Sequence, residues 1–320
     1  MSAPRVSVLL ASRDGQRHLG AALASIAAQT WPDVELIAVD DGSRDGTPGI
    51  LAGFAEQHPR TVVLTTPGVG LAGALALAAK HATGDLLARH DDDDGSLPDR
   101  LEWQVRWLQD RPDIGVVGTG AEVIDDSGRT IGTYPVPLHS GAIRRMLRRA
   151  PPFVHGSVMM RRECYERIGG YRAAFGAAQD FDLWLRVPPE FGLANLPERL
   201  YRWRRHPRGV FSRARDRQLF FAAVARAFFD ERKDGHPDSV ELLDAAIDPQ
   251  RFLDGYAHAD RAALYLGEAY VREGRPAEGR RWLGRALASP RTRARALAWW
   301  SLSLPAALTP RARRASGGVR

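Results

Sequence analysis

The chain has 320 residues, 44% hydrophobic and 26% charged, with a formal net charge of +7, the make-up of a soluble globular protein with one large core and room for a smaller second unit. No apolar run approaches the length of a membrane-spanning helix, which excludes an integral membrane protein, and a single cysteine, Cys164, excludes an internal disulfide and a cysteine-rich zinc site. The apolar stretch 6–11 is too short for a signal peptide and is soon followed by Arg13 and Asp14, so a reducing cytoplasm is the expected location.

Strand-like and helix-like runs then alternate. Residues 6–11 form a continuous apolar run, and 16–29 carry Leu19, Leu23, Ile26 and Ala27 at helical spacing. Residues 34–39 read as a strand, 47–57 as a helix, 61–65 as a strand and 71–82 as an Ala/Leu-rich helix. That alternation predicts a mostly parallel sheet covered on both faces. A short buried strand over 84–89 leads into His90-Asp91-Asp92-Asp93-Asp94, after which Pro98 takes a first helical position and Leu101, Val105 and Leu108 continue the helix to near Arg111-Pro112. Residues 114–118, 122–124 and 130–133 read as strands, with a turn at Asp126-Ser127-Gly128. A buried strand over 157–160 and a short helix over 181–187 follow, and beyond Arg217 the pattern is wholly helical. Within it, Leu264 to Tyr270 and Gly274 to Leu287 resemble one tetratricopeptide hairpin.

Four adjacent carboxylates repel one another unless a cation neutralises them, and Asp91 to Asp94 leave their strand at its carboxyl end, where open α/β sheets bind ligands. Oxygen-only ligands point to Mg2+ or Mn2+, with a diphosphate completing the coordination; a solvated acidic loop is the alternative. The strand over 34–39 brings Asp40-Asp41-Gly42-Ser43-Arg44-Asp45-Gly46-Thr47 to the same edge. A carboxylate accepts hydrogen bonds from the imide of uracil or the amino groups of guanine, so Asp40 or Asp41 can select a nucleobase, whereas Asp45 and Thr47 suit a helix cap. Arginines cluster at 144–149 and again at 199–217, the second time among Tyr201, Trp203 and Phe211. Such stretches suit an anionic membrane, a phosphorylated ligand or plain solvation, and no nucleic-acid-binding signature accompanies them, so nucleic acid is not expected. Trp103 and Trp107 read as packing, and Cys164, with no base beside it, as structural.

Taken in order, Val6-Ser7-Val8-Leu9-Leu10-Ala11-Ser12, Ser25-Ile26-Ala27-Ala28-Gln29-Thr30, the Asp40 to Thr47 turn, Ala88 to Asp94, Leu97-Pro98-Asp99-Arg100-Leu101-Glu102, Gly169-Gly170-Tyr171 and Gln179-Asp180-Phe181-Asp182-Leu183-Trp184-Leu185-Arg186 resemble the family 2 glycosyltransferases. The resemblance spans roughly the first two thirds of the chain, and the ordered set is more specific than any one motif. It implies a GT-A fold, an α/β, Rossmann-like, mostly parallel sheet flanked by helices, followed here by a helical C-terminal extension. The implied division is a glycosyltransferase domain over 1–217, the extension with its hairpin over 218–308, and a basic, disordered tail over 309–320.

The resemblance implies residue roles. Asp41, helped by Asp40, meets the nucleobase with Ser12 and Arg13; many members have tyrosine where Arg13 stands, although a guanidinium can also stack on a pyrimidine. Asp93 is the direct metal ligand, Asp91 lies nearer the ribose or sugar and shares in the metal site, and Asp94 supports it or touches the sugar. Asp180 is the catalytic carboxylate of a motif usually written Glu-Asp, with Gln179 replacing the Glu; the alternative for Asp180 is a helix N-cap. His155 and Trp184 fall near the acceptor or sugar, with a buried structural imidazole the alternative for His155, and His206 falls where members touch diphosphate or metal, with a solvated loop the alternative. The expected activity is inverting transfer of a sugar from a nucleotide-diphosphate donor to a glycan or lipid-linked acceptor in cell-envelope or exopolysaccharide assembly. Peripheral contact with an anionic inner membrane would accompany a lipid-linked acceptor. Two alternatives stay open: a non-catalytic scaffold working through its helical region, and a sugar nucleotidyltransferase, for which Ser12-Arg13-Asp14-Gly15 lacks the glycine-rich basic loop.

Overall fold

Continuous apolar runs flanked by helix signals become buried parallel strands, because both faces of such a sheet are covered. The computed structural model describes residues 3–205, 212–244 and 247–304. The described residues form two units, one running to Arg215 and including Asp244, the other comprising the rest.

In the first unit, β1 (Val6–Ser12), α1 (Leu19–Ala27), β2 (Val34–Asp40), α2 (Thr47–Gln57), β3 (Thr61–Thr65), α3 (Gly70–His81) and β4 (Leu86–Asp91) follow the expected alternation. α1 begins later than its apolar periodicity suggests because Gln16 serves a loop, its Oε1 accepting from the Gly46 N–H at 2.8 Å. Next come β5 (Gly95–Ser96), α4 (Arg100–Gln109), β6 (Ile114–Ile124), β7 (Thr130–Tyr134), α5 (Ser140–Leu147), β8 (Met159–Arg161), α6 (Arg162–Arg167), α7 (Gln179–Arg186) and β9 (Gly192–Arg204). The sheet runs β3-β2-β1-β4-β8-β6-β9-β5, with β7 on β6. It is parallel from β3 to β4 and again between β6 and β9; β8, β5 and β7 pair antiparallel.

Several expectations shift. The strands expected at 114–118 and 122–124 are one strand, β6, which β9 follows along its length through register shifts. Residues His155–Ser157 form a 3-10 turn ahead of β8, and Pro98 stands before α4 instead of inside it. β9 and α5 lie where arginines hide the pattern. Ile143 and Leu147 bury one face of α5, while Arg144 donates to the carbonyls of Pro188 and Phe191. The core joins Val8, Leu10, Leu36, Ala38 and Ala88 of the sheet to Leu19, Leu23, Leu101 and Val105 of the helices.

The second unit is helical: most of α8 (Ser212–Lys233), then α9 (Pro249–Gly255), α10 (Ala259–Arg272), α11 (Pro276–Ala286) and α12 (Pro290–Leu302). Asp248 caps α9, accepting from the N–H groups of Gln250 and Arg251. α10 and α11 form a hairpin whose core, with Ala263, Leu264, Leu283 and Ala286, also takes Ala296 of α12. Glu268, fully buried, holds Arg295 at 2.5 Å, Arg226 at 3.5 Å and Arg272 at 3.8 Å. Among the described residues no helix is long and apolar enough to cross a membrane. His206 and the 309–320 stretch lie outside the described residues.

Candidate active site

Register alone assembles the site. Ser12 of β1 pairs with Asp40 of β2, and Ala11 pairs with Asp91 of β4, so both acidic turns leave the sheet at one height on either side of β1. Ser12 bonds to both turns. Ser12 Oγ donates to Asp92 Oδ2 at 2.5 Å, and the Asp41 N–H donates to the Ser12 carbonyl at 2.8 Å. Cavities of about 440 and 610 Å³ open around the starts of β2 and β4, away from these carboxylates, and do not mark the site.

On the β2 side, Asp40 is buried and its Oδ1 accepts from the Ser43 N–H at 3.1 Å, which shapes the turn. Asp41 is buried as well. Its Oδ1 accepts from Thr66 Oγ1 at 2.5 Å and the Val69 N–H at 2.6 Å, and its Oδ2 from the Gly70 N–H at 2.8 Å, so the carboxylate also holds the entrance to α3. A carboxylate oxygen has two acceptor positions, which leaves one open on Oδ2 within this set. Exposed Arg13 lies over Gly68, where a Cβ would stand 3.3 Å from its Nη1. Asp45 accepts from the N–H groups of Thr47 and Gln16 and so braces the start of α2 against the β1–α1 loop.

On the β4 side, Arg89 and Asp91 are two residues apart and share one strand face. Buried Arg89 donates through Nη2 to Asp91 Oδ1 at 2.6 Å. Burial opposes ionisation of Asp91, yet Arg89, then His155, hold its carboxyl below the usual range. Burial pushes Asp92 up to about 6, with Asp93 and Asp91 adding repulsion that the Ser12 bond only partly offsets. Asp94 is raised further, by burial and the charges of Asp91 and Asp93. Its Oδ1 accepts from the Arg204 N–H at 2.6 Å, so Asp94 braces the acidic turn from within and is not presented to a sugar. Arg204 also donates through Nε to the Asp93 carbonyl at 2.6 Å and through Nη1 to those of Asp125 and Asp126. His90, fully buried, is pushed down to about 3 by burial and by Arg100. Its Nδ1 donates to the Asp91 carbonyl at 2.7 Å.

The donor set at the turn is oxygen-only, and burial, with the charges of Asp91 and Asp93 adding to it, raises the Asp92 and Asp94 carboxyls. That chemistry fits Mg2+ or Mn2+, which are commonly held by one or two carboxylates while phosphates and water complete the shell. Asp91 and Asp93 are the residues that would hold it. Among the described residues no three His, Cys, Asp or Glu side chains form a closed metal cage.

The third component arrives from α7. Ala178, at φ 53°, is the N-cap residue, so the capping role weighed for Asp180 is overturned: Asp180 sits inside the first turn, half-buried, and accepts no hydrogen bond from the described residues. Asp182 points the other way. Fully buried, it accepts from Arg186 Nε at 3.0 Å, and Arg186 donates on to the carbonyls of Ile168 and Gly170. This clamp sets the Gly169-Gly170-Tyr171 turn, in which Gly170 has φ 63° and a Cβ would come within 2.6 Å of the Tyr165 ring. Tyr171 hydroxyl and His155 Nε2 then lie 2.8 Å apart. Burial lowers the His155 imidazole, Arg89 lowers it further, and both Asp180 and Asp91 oppose that, so the two carboxylates act on one ring. Trp184, expected at the acceptor, is 1% exposed and packs behind His155 and Phe153, with ring centroids 6.4 and 5.1 Å away. It is backing for the site, not an acceptor surface.

Sequence reasoning gave no role to Arg89, Asp92, Tyr171, Tyr201 or Arg204. The two-residue spacing of Arg89 and Asp91 carried a readable signal for the first. Tyr201, whose hydroxyl accepts from the Asp91 N–H at 3.1 Å, comes from a strand 110 residues away and carried none.

Residues 7–169 match the family model described as glycosyl transferase family 2. The chain is 37% identical over 212 residues to the glycosyltransferase candidate EpsE of Bacillus subtilis (strain 168), covering 63% of this chain and 74% of that protein. It is 31% identical over 205 residues to the O-antigen biosynthesis glycosyltransferase WbnJ of Escherichia coli, covering 63% and 80%. Among solved structures it resembles the mannosyltransferase PcManGT of Pyrobaculum calidifontis in complex with GDP-Man and Mn2+, with a TM-score of 0.56 and 23% identity over 95% of this chain and 86% of that one.

Proposed function

The chain belongs to glycosyl transferase family 2, and from that premise we propose that it is a hexosyltransferase moving a sugar from a nucleoside-diphosphate donor to a hydroxyl of a glycan or lipid-linked acceptor, with inversion at the anomeric carbon. The observation that carries the reading is geometric: Ser12 pairs with Asp40 and bonds Asp92, Gly156 lies against Asp91, and the neighbouring His155 ring packs on Trp184 of α7, so both acidic turns and α7 meet around one place. Asp40, Asp41 and Arg13 line the nucleobase end, and Asp91 with Asp93 would hold Mg2+ or Mn2+. When bound, that ion neutralises charge developing on the departing diphosphate.

Asp180 is the general base. Free of protein hydrogen bonds among the described residues, its oxygens are open to the acceptor hydroxyl. An aspartate is too weak to deprotonate a free alcohol, so it takes the proton as the new bond forms, and alignment supplies much of the acceleration. His155, oriented by Tyr171, flanks the acceptor hydroxyl. WbnJ is an O-antigen biosynthesis enzyme, which supports a role in cell-envelope polysaccharide assembly on the cytoplasmic side, and a lipid-linked acceptor would bring the enzyme to the inner membrane face.

Screening nucleoside diphosphates by thermal shift, with and without Mn2+, identifies the donor base, because a ligand specific to the folded state raises its stability. With that donor, Asp180→Asn should lower kcat about a thousandfold while nucleotide binding persists, the scale of a general base. Transfer unchanged in Asp180→Asn would sink the assigned role.

A further inference from the structure

Lysine and arginine number 45 and aspartate and glutamate 38, yet from Pro290 onward there are seven arginines and no lysine or acid. Residues before Pro290 thus carry 38 of each sign, and the whole formal charge of +7 belongs to one stretch that opens with α12.

α12 has two faces. Thr292, Ala296, Trp299, Trp300 and Ser303 turn toward the other helices, Ala296 and the two indoles packing on the α10–α11 core and the Ser303 carbonyl accepting from Arg280 at 2.6 Å. Ala294, Leu297, Ala298, Ser301 and Leu302 stand outward and all are exposed, Leu297 by 51% and Leu302 by 69%. Their spacing is that of one helical stripe. Arg291 and Arg293 are exposed on the preceding turns, Arg295 is engaged by Glu268, and no charged residue lies between Arg295 and Arg311. An apolar stripe preceded and followed by arginines is the pattern of a segment that lies in a membrane interface.

We infer that the outward face of α12 docks on an anionic lipid surface. The leucines enter the headgroup boundary while Arg291 and Arg293 meet lipid phosphates. A nucleic acid would use the arginines but give no role to Leu297, Leu302 or the uncharged run between the basic groups. The inference deepens the membrane placement proposed above and rests on it for its purpose alone: adsorption is measured without donor or acceptor, so its failure and that of sugar transfer are separate results.

The full chain is sedimented with vesicles of phosphatidylcholine, or of phosphatidylcholine with phosphatidylglycerol, at low and high salt, with a DNA duplex as competitor. Expected is retention on the anionic vesicles that falls with salt. Arg291→Ala with Arg293→Ala should weaken it about tenfold or more at low salt, each arginine near the surface being worth about fivefold. Leu297→Ser with Leu302→Ser should weaken it at both salt levels, and all four positions are exposed, so melting is unchanged. Absence of retention, equal retention of wild type and both variants, or displacement by DNA with the leucine variants unaffected would overturn the inference.

Discussion

At the residue scale, two carboxylates two positions apart in α7 do opposite work. Asp180 is open while Asp182 is buried on Arg186. Removing one partner of a buried pair strands the other, so Asp182→Ala should cost about 3–5 kcal/mol of stability, read by urea denaturation. The acidic turn makes a pH prediction. His90 and His155 have values depressed on folding, so their contribution is present above the ordinary histidine value and lost as pH falls below it. Asp92, raised to about 6, works in reverse: its contribution is full below the ordinary aspartate value and lost as pH rises through 6. The two oppose each other from about pH 6 down to the ordinary aspartate value, where a histidine held neutral contributes a slope of up to ~1.4 kcal/mol per pH unit. In chelator-containing buffer, Asp92→Asn should therefore steepen the loss of stability across that window relative to wild type, seen as a faster fall of the urea midpoint.

At the element scale, the 3-10 turn His155–Ser157 presses its backbone on the acidic strand. A Cβ on Gly156 would fall 1.9 Å from the Tyr201 hydroxyl and 2.6 Å from Asp91 Oδ2. Neither neighbour has room to retreat: Tyr201 is buried under Arg100, whose guanidinium lies 5.3 Å from its ring centroid, and Asp91 is tied to Arg89. Gly156→Ala should abolish Mn2+-dependent nucleotide stabilisation in a thermal-shift assay, whereas Gly49→Ala, on the exposed face of α2 with open space around it, should leave that stabilisation intact. In the helical unit, Glu268→Ala would leave Arg226 and Arg295, both against the Tyr265 ring, without their shared counter-charge. A loss of about 3–5 kcal/mol is expected for such a buried network, measured by calorimetry.

Elements also decide what could be read from the chain. β1, β2 and β4 were legible because a doubly covered strand is a continuous apolar run, and the Asp91 to Asp94 run because its charge has few bland explanations. β9 was hidden: its Arg199, Arg202 and Arg204 look like a solvated patch, although Leu200, Tyr201 and Arg204 turn inward. Asp41 was legible as a site residue but not as the clamp on α3, since its partners Thr66, Val69 and Gly70 lie 25 to 29 residues further on. Trp184 misled for a related reason, because a helix of eight residues has few turns in which to tell a buried face from an open one.

At the scale of the whole molecule, the uneven charge governs behaviour away from any surface. Copies of a protein repel one another in solution through net charge, and here that repulsion comes entirely from the arginines after Ser289. Polyanions that cap them leave a body with balanced signs, close to its isoelectric condition in ordinary buffer, where colloidal stability is lowest. Adsorption would thus cancel the force that keeps copies apart, and the molecules would crowd laterally at far lower bulk concentrations than in free solution.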